Sequence, residues 1–142
     1  MTRYFEDLSL GMAAESERLV TEADVQAFAD VSGDHNPVHL DAAYAATTPF
    51  KERIAHGILS AAFISALIAN ELPGAGSVYI SQTLNFRRPV KLGATVKTRV
   101  EIAGLDAEKA RATLKCTSSV DGKTVLEGEA VILAPRRAQQ AG

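Results

Sequence analysis

The sequence predicts an α+β fold in which an antiparallel β-sheet wraps around one long apolar helix. Residues Gly57 to Glu71 are apolar on nearly every side of a helix, a pattern typical of a helix enclosed by other structure. After Gly76 the apolar residues recur at every second position, and short turns separate the segments, as in antiparallel strands. Wrapping such a sheet around the helix would bury the apolar surface of both.

Length and composition indicate an ordinary globular protein. The 142 residues suit a single domain, 1–142, with little spare volume to enclose a long ligand, so a site shared between two subunits is plausible from the outset. The net charge of -2 argues against binding to a nucleic-acid backbone. The single Cys116 excludes an internal disulfide, and its place on an alternating apolar face predicts a buried structural thiol.

Nothing in the sequence predicts a membrane segment. The first ten residues carry Glu6 and Asp7 and lack the basic-then-apolar order of a signal peptide. The longest apolar stretch, from Gly57 to Ala69, is too short to span a bilayer. We therefore expect a cytoplasmic protein with neither a membrane nor a nucleic acid as partner.

The elements before the long helix are marked by capping and turn residues. Thr21, with Asp24 three residues on, predicts the start of a helix over Glu22 to Val31. Residues Gly33 to His39 are expected to form a loop, because Pro37 disfavours the helical region for the residue before it. A short helix is expected from Asp41 to Ala46.

Four long strands are expected after the central helix. The first places Val78, Ile80, Leu84 and Phe86 on one face, and Asp121-Gly122 is a strong two-residue hairpin turn between the third and the fourth. The remaining expected strands cover Val96 to Ile102, Ala110 to Val120 and Thr124 to Ala134. The tail from Pro135 is expected to be frayed.

One loop carries groups suited to acid/base chemistry. Asp34 and His39 lie five residues apart in the segment Asp34-His35-Asn36-Pro37-Val38-His39. Imidazole gives and takes protons near neutral pH, and a carboxylate is its common partner. Asp and Asn also favour loops simply by bonding to nearby backbone groups. The residues alone leave both interpretations open, and the loop offers too few ligands to predict a metal site.

The start of the central helix is a second candidate site. His56 and Gly57 precede the apolar run, where the first N–H groups of a helix lack intrahelical partners. A glycine there lets a ligand oxygen approach the backbone, although it is equally what an awkward turn requires. Within the helix, Ser65 is expected to bond the backbone one turn back.

Arg87 and Arg88 would suit the phosphates of a nucleotide-like carrier or the protection of an exposed strand edge.

These motifs together resemble one family. Asp34-x-Asn36-Pro37-x-His39, then His56-Gly57 seventeen residues later, then an apolar helix and Phe86-Arg87-Arg88-Pro89-Val90 are similar to the MaoC-like hot-dog hydratases. The similarity is greatest to the short R-specific enoyl-CoA hydratases, and it extends over about Phe5 to Leu133.

The resemblance implies a hot-dog fold, a homodimer and hydration of a trans-2-enoyl-CoA to the (R)-3-hydroxyacyl-CoA. It makes Asp34 and His39 the catalytic pair and Gly57 the backbone donor to the oxyanion. Asn36, His56 and Ser65 are then expected to support the site or the substrate, with Arg87 and Arg88 as candidate contacts to coenzyme A phosphates. No metal or cofactor is implied, because coenzyme A is part of the substrate. The alternatives are a hot-dog thioesterase and a non-catalytic acyl-CoA-binding subunit.

Overall fold

The computed structural model describes residues 2–137, in which six antiparallel strands form one sheet. The strands are β1 (Ala13–Leu19), β2 (Val78–Gln82), β3 (Asn85–Phe86), β4 (Thr95–Asp106), β5 (Arg111–Val120) and β6 (Lys123–Leu133). The helices are α1 (Glu22–Ser32), α2 (Pro37–Leu40), α3 (Ala42–Ala46) and α4 (Gly57–Asn70), preceded by a 3-10 turn over Phe5–Asp7. The bounds of α1, α3 and α4 agree with the sequence prediction to within one residue.

The strand order is β1-β4-β5-β6-β2, with β3 also paired to β6. The β5–β6 hairpin closes through Asp121 and Gly122, whose φ angles of 51° and 78° are those of the tight turn that the sequence predicted. Because β1 and β2 lie at opposite ends of this order, each leaves one edge without a partner strand among the described residues.

One side of α4 packs against the sheet and forms the core. Leu59, Ile64, Leu67 and Ile68 are buried on this side. They belong to one apolar cluster with sheet residues that include Val96, Val100, Ile102, Leu114, Cys116 and Ile132. The predicted packing of sheet against helix, and the buried thiol of Cys116, are confirmed.

The opposite side of α4 is not covered, contrary to the expectation of a helix enclosed on every side. Ile58 is 51% exposed, and Ala62, Ala66 and Ala69 are exposed as well. The sheet of a single chain covers only one face of the helix. The apolar residues on the other face led the sequence analysis to predict more burial than one chain provides. An apolar helix face therefore remains at the surface of the isolated chain.

Strand β1 was absent from the sequence prediction. Its residues Ala13–Leu19 include three charged side chains and no β-branched residue, so side-chain propensity gave no signal. The strand forms because its backbone pairs with β4, from Ala13 opposite Glu101 to Leu19 opposite Thr95. Backbone pairing at a sheet edge tolerates such side chains.

Two predicted segments differ in detail. Residues Pro37–Leu40 form a helical turn rather than a loop, because Asn36 caps it and Pro37 occupies its first position, where no N–H is needed. The segment carrying Val78 to Phe86 is not one regular strand but β2 and β3, with a bulge between Tyr79 and Ser81. The bulge breaks the alternation, and Val78, Ile80 and Phe86 are exposed.

The start of the predicted frayed tail is held in place. The carbonyl of Pro135 accepts a hydrogen bond from the N–H of Phe5 at 2.8 Å, and Arg137 pairs with Asp7 at 2.7 Å. The expectation of fraying is thus wrong for residues 135–137, and residues 138–142 lie outside the described part. Within residues 2–137, no helix combines the length and the apolar character needed to cross a bilayer.

A glycine in β6 allows the chain to pass between β2 and β3. A Cβ on Gly128 would overlap the carbonyl oxygen of Thr83, which is backbone and cannot turn away. Gly128→Ala should therefore lower the free energy of unfolding by about 1–3 kcal/mol, measured by urea denaturation. Gly104→Ala in β4 is the control, because its Cβ would meet Thr113 at an ordinary 3.4 Å. Equal effects of the two substitutions would contradict this explanation.

Candidate active site

The loop after α1 is shaped by the polar side chains of the motif. An Asp34 carboxylate oxygen, Oδ1, accepts from the N–H of Asn36 at 3.1 Å, and Oδ1 of Asn36 accepts from the N–H of Val38 at 3.2 Å. Ser32 accepts from the N–H of Asp34 at 3.1 Å. The turn-forming interpretation of these residues is thus correct for the backbone. The Asp34 carboxylate is exposed, and only one of its two oxygens takes part in this turn.

His39 lies on α2 with its ring buried. Its Nδ1 is 2.8 Å from the carbonyl of Ile54, which can only accept, so Nδ1 carries the hydrogen in the neutral ring. Its own carbonyl accepts from Nε of Arg53 at 2.7 Å, which ties the backbone of α2 to the segment before α4. The other ring nitrogen, Nε2, is left with a free lone pair, as a general base requires.

The first turn of α4 adds a second imidazole. His56 is the residue that precedes the helix, and its buried Nε2 donates to the backbone carbonyl of Asp34 at 3.0 Å. Its ring stacks on that of His39, with 3.9 Å between the ring centroids and 28° between the planes. Helix α4 therefore brings His56 and Gly57 to the loop that carries Asp34 and His39.

Asp34, His39 and His56 form one compact cluster. A carboxylate oxygen and one ring nitrogen from each histidine all lie within 4.8 Å of one another. Two groups that share a single bridging water lie about 4.5 Å apart, given hydrogen bonds of about 2.8 Å. The spacing therefore suits a water held between a carboxylate and an imidazole.

The same cluster is poorly arranged to hold a metal ion. Imidazole binds a metal through a lone pair in the plane of the ring, and the two stacked rings, with 28° between them, hold these lone pairs in nearly parallel planes. One nitrogen of each ring already donates to a backbone carbonyl. This leaves one nitrogen of each ring, and the stacked planes are a poor match to the convergent ligands of a metal site.

A cavity of about 230 Å³ opens beside the cluster. It is mainly apolar, and its lining includes His39, Gly57 and Ser60. The other lining residues are Phe50, Ile54, Ala55, Phe86, Arg88, Pro89, Val90, Val125 and Leu126. A Cβ at Gly57 would lie 2.8 Å from the ring of Phe86, so any other residue here would displace that ring.

The N–H of Gly57 is the natural donor to an anionic ligand in this cavity. Gly57 is the first residue of α4, and His56 makes no side-chain hydrogen bond that would cap the helix. The first N–H groups of a helix have no intrahelical acceptor and lie at its positive end. A ligand oxygen in the cavity can therefore approach a backbone donor from a position next to His39.

Ser65 lies elsewhere. It lines a separate apolar groove between α4 and β2, together with Ile58, Ala61, Tyr79 and Gln82. Burial raises the pKa of Tyr79 to about 12, and the Tyr79 hydroxyl donates to Gln82 at 2.9 Å. Within the described part of one chain, Ser65 is thus grouped with Tyr79 rather than with Asp34 and His39.

The two arginines differ in position. Arg88 lines the cavity and donates to the carbonyl of Thr124 at 2.7 Å, so its guanidinium is anchored at the entrance. Arg87 pairs with Glu127 on β6 and does not line this cavity. Burial raises the pKa of the Cys116 thiol to about 11, which argues against a nucleophilic role for this buried residue.

Several contributors to the site gave no signal in the sequence. The carbonyl of Ile54 selects the His39 tautomer, and the carbonyl of Asp34 receives the His56 bond. Every residue has a carbonyl, so neither role was visible in residue type. Phe86 was noted only as part of a motif, although its exposed ring covers Gly57.

Comparisons with known proteins agree with this geometry. The (R)-specific enoyl-CoA hydratase of Rhodospirillum rubrum is 47% identical over 94% of this chain and 93% of its own. The 3-hydroxybutyryl-CoA dehydratase of Methylorubrum extorquens is 49% identical over 94% of this chain and 85% of its own. The unliganded R-hydratase PhaJ1 of Pseudomonas aeruginosa superposes with a TM-score of 0.92 at 51% identity, covering 96% of this chain and 88% of that one.

The fold of these relatives is the hot dog that the sequence predicted, an antiparallel sheet packed on a central helix. A family model described as a MaoC like domain matches residues 9–125, which include both the loop motif and the start of α4. The chain belongs to the MaoC-like domain family.

Proposed function

We propose that this protein is an R-specific enoyl-CoA hydratase, which adds water to a trans-2-enoyl-CoA to give the (R)-3-hydroxyacyl-CoA. The observation that supports it best is that a carboxylate oxygen of Asp34 and a ring nitrogen of His39 lie within 4.8 Å of each other, a distance that one bridging water can span, next to the cavity that Gly57 lines. Hydration needs water delivered to C3, a proton delivered to C2, and a donor for the negative charge that develops on the thioester oxygen. The three residues match these three needs.

The names of the relatives support the same chemistry. One is a hydratase and another a dehydratase of a 3-hydroxyacyl-CoA, and these are two directions of one reaction. A catalyst lowers the barrier equally in both directions, so one site serves both names. The thioesterase alternative would break the thioester bond instead, and a binding subunit would have no use for an acid/base pair.

In the proposed mechanism Asp34 and His39 hold one water between them. Nε2 of His39 accepts a proton from the water as its oxygen bonds to C3, and the imidazolium passes that proton to the Asp34 carboxylate. The carboxyl so formed gives the proton to C2 on the same face, which restores the neutral imidazole and the carboxylate. The assignment of the base to His39 rests on its free Nε2, which the Nδ1 bond to Ile54 leaves unprotonated in the neutral ring.

The N–H of Gly57 would receive the enolate oxygen that forms during addition. Removing such a donor typically costs about 10²–10³ in rate. The anchored guanidinium of Arg88 at the cavity is the better of the two arginine candidates for a phosphate of coenzyme A, because Arg87 is already paired with Glu127. Asn36 supports the site by capping α2. The supporting role of Ser65 and the cytoplasmic location stay predictions.

We further infer that the enzyme is a homodimer joined through β2 and the exposed face of α4. Val78 is 54% exposed and Ile80 is 42% exposed, and both belong to an edge strand. Together with Ile58 and Ala62 of α4, Ile80 borders a groove of about 400 Å³. In a two-fold symmetric dimer, the β2 edge of one chain would pair with the β2 edge of the other. Each chain would then cover the apolar groove of its partner.

The activity is tested directly with purified protein and crotonyl-CoA. We expect the enone absorbance to fall, the product to be (R)-3-hydroxybutyryl-CoA, and the rate to be unchanged by EDTA, because no metal or cofactor takes part. An S product would contradict the assignment, and release of free coenzyme A as the main reaction would favour the thioesterase.

The acid/base pair is tested by Asp34→Asn and His39→Gln, two nearly isosteric changes. Positioned acid/base groups contribute about 10²–10⁴-fold to rate, so each variant should lose turnover by at least the lower figure. Circular dichroism should remain that of the wild type, since both substitutions nearly preserve the shape of the side chain. A variant that keeps more than a tenth of wild-type turnover would remove its residue from the mechanism.

The assembly is tested by light scattering at assay concentration. We expect a mass of about 30 kDa, twice the 15.1 kDa chain, for the wild type. Ile80→Asp should give a monomer, because it places a charge in the apolar groove. The matched control is Leu19→Asp on β1, at the opposite sheet edge, which should remain dimeric. A fully active monomeric wild type would refute the proposed interface.

A further inference from the structure

His56 is placed where it contacts every part of the proposed site without facing the cavity. It is only 3% exposed and does not line the cavity of His39 and Gly57. Nε2 donates to the carbonyl of Asp34, while Nδ1 is buried and without a hydrogen-bond partner among the described residues. Neither nitrogen is therefore available to a substrate, so a substrate-binding role does not fit.

The hydrogen bond from His56 joins the loop that carries Asp34 to a distant part of the chain. Two further hydrogen bonds of Asp34 are local: its N–H donates to Ser32, the last residue of α1, and its carboxylate accepts from the N–H of Asn36. Among residues 2–137, the bond to His56, 22 positions away, is the one hydrogen bond that ties residues 33–36 to a distant element. The loop is otherwise exposed, so this bond sets where the Asp34 carboxylate lies.

The ring of His56 also restrains His39. A single hydrogen bond from Nδ1 to Ile54 fixes one point of the His39 ring but leaves rotation about that bond. The stacked His56 ring, 3.9 Å away, defines the ring plane and thereby the direction of Nε2. Phe28 also packs against the His56 ring, with 4.9 Å between the ring centroids and 60° between the planes, which adds to the restraint on His56.

We propose that His56 is a positioning residue that fixes the distance between Asp34 and His39, chiefly through its Nε2–H bond to the Asp34 carbonyl. This inference rests on the proposed hydratase function. Because His56 directly precedes Gly57, the same residue links the acid/base pair to the helix end that receives the oxyanion. A displacement of about 1 Å in a reacting group can cost about 10²-fold in rate, so the loss of this bond should be large.

Two substitutions separate the hydrogen bond from the ring. His56→Phe keeps a ring to stack on His39 and Phe28 but removes the donor. His56→Gln keeps an amide N–H near the position of Nε2 but removes the ring. We expect kcat for crotonyl-CoA hydration to fall about 10²-fold in His56→Phe, with KM within threefold of the wild-type value. The kcat of His56→Gln should be at least tenfold higher than that of His56→Phe.

A combined variant tests whether His56 acts through Asp34. If it does, adding His56→Phe to Asp34→Asn should lower kcat by less than threefold, because the positioned group is already gone. Thermal unfolding of each variant identifies any that do not fold. Should His56→Phe not fold, His56→Asn replaces it, since its shorter amide does not reach the Asp34 carbonyl.

The outcomes separate the two proposals. A wild-type enzyme without hydratase activity would overturn the proposed function itself. If the wild type is active, three results would overturn the positioning role alone. These are a kcat of His56→Phe above half that of the wild type, a kcat of His56→Gln no higher than that of His56→Phe, and a further 10²-fold loss of kcat when His56→Phe is added to Asp34→Asn.

Discussion

Leu59, Ile64 and Ile68 hold one face of α4 against the sheet, and the position of everything in the candidate site follows from that contact. Full burial of such a side chain contributes about 1.5–3 kcal/mol. The core therefore fixes the helix axis, and with it the place where the helix begins. Just before that start, the N–H of Ala55 bonds to the carbonyl of Val90 at 2.7 Å, which leaves the first turn little freedom.

From this fixed start, the chemistry is assembled largely through backbone groups. Gly57 offers an unpaired N–H, the carbonyl of Ile54 orients His39, and the carbonyl of Asp34 receives His56. Backbone groups of a packed helix and its approach segment are more rigid than side chains on a loop. An exposed loop can in this way carry a carboxylate at a defined distance from an imidazole.

The division of α4 into two faces relates stability to assembly. One face stabilises the chain, while the other, with Ile58 and Ala62, remains apolar and exposed beside the β2 edge. A chain that kept such a surface in water without a specific partner would risk non-specific association through it. The same helix thus links the core, the site at its N-terminus and the inferred interface between subunits.

By itself, the sequence determined the central helix, the cap of α1, the β5–β6 hairpin and the motif residues Asp34, His39 and Gly57, since each depends on residue type at a fixed spacing. Only the tertiary structure decided the pairing of β1, the exposed face of α4, the grouping of Ser65 with Tyr79, and the bond from His56 to the Asp34 carbonyl. The physical reason is that carbonyl and N–H groups are common to all residues. Which of them meet depends on how distant segments pack, and residue type does not record it.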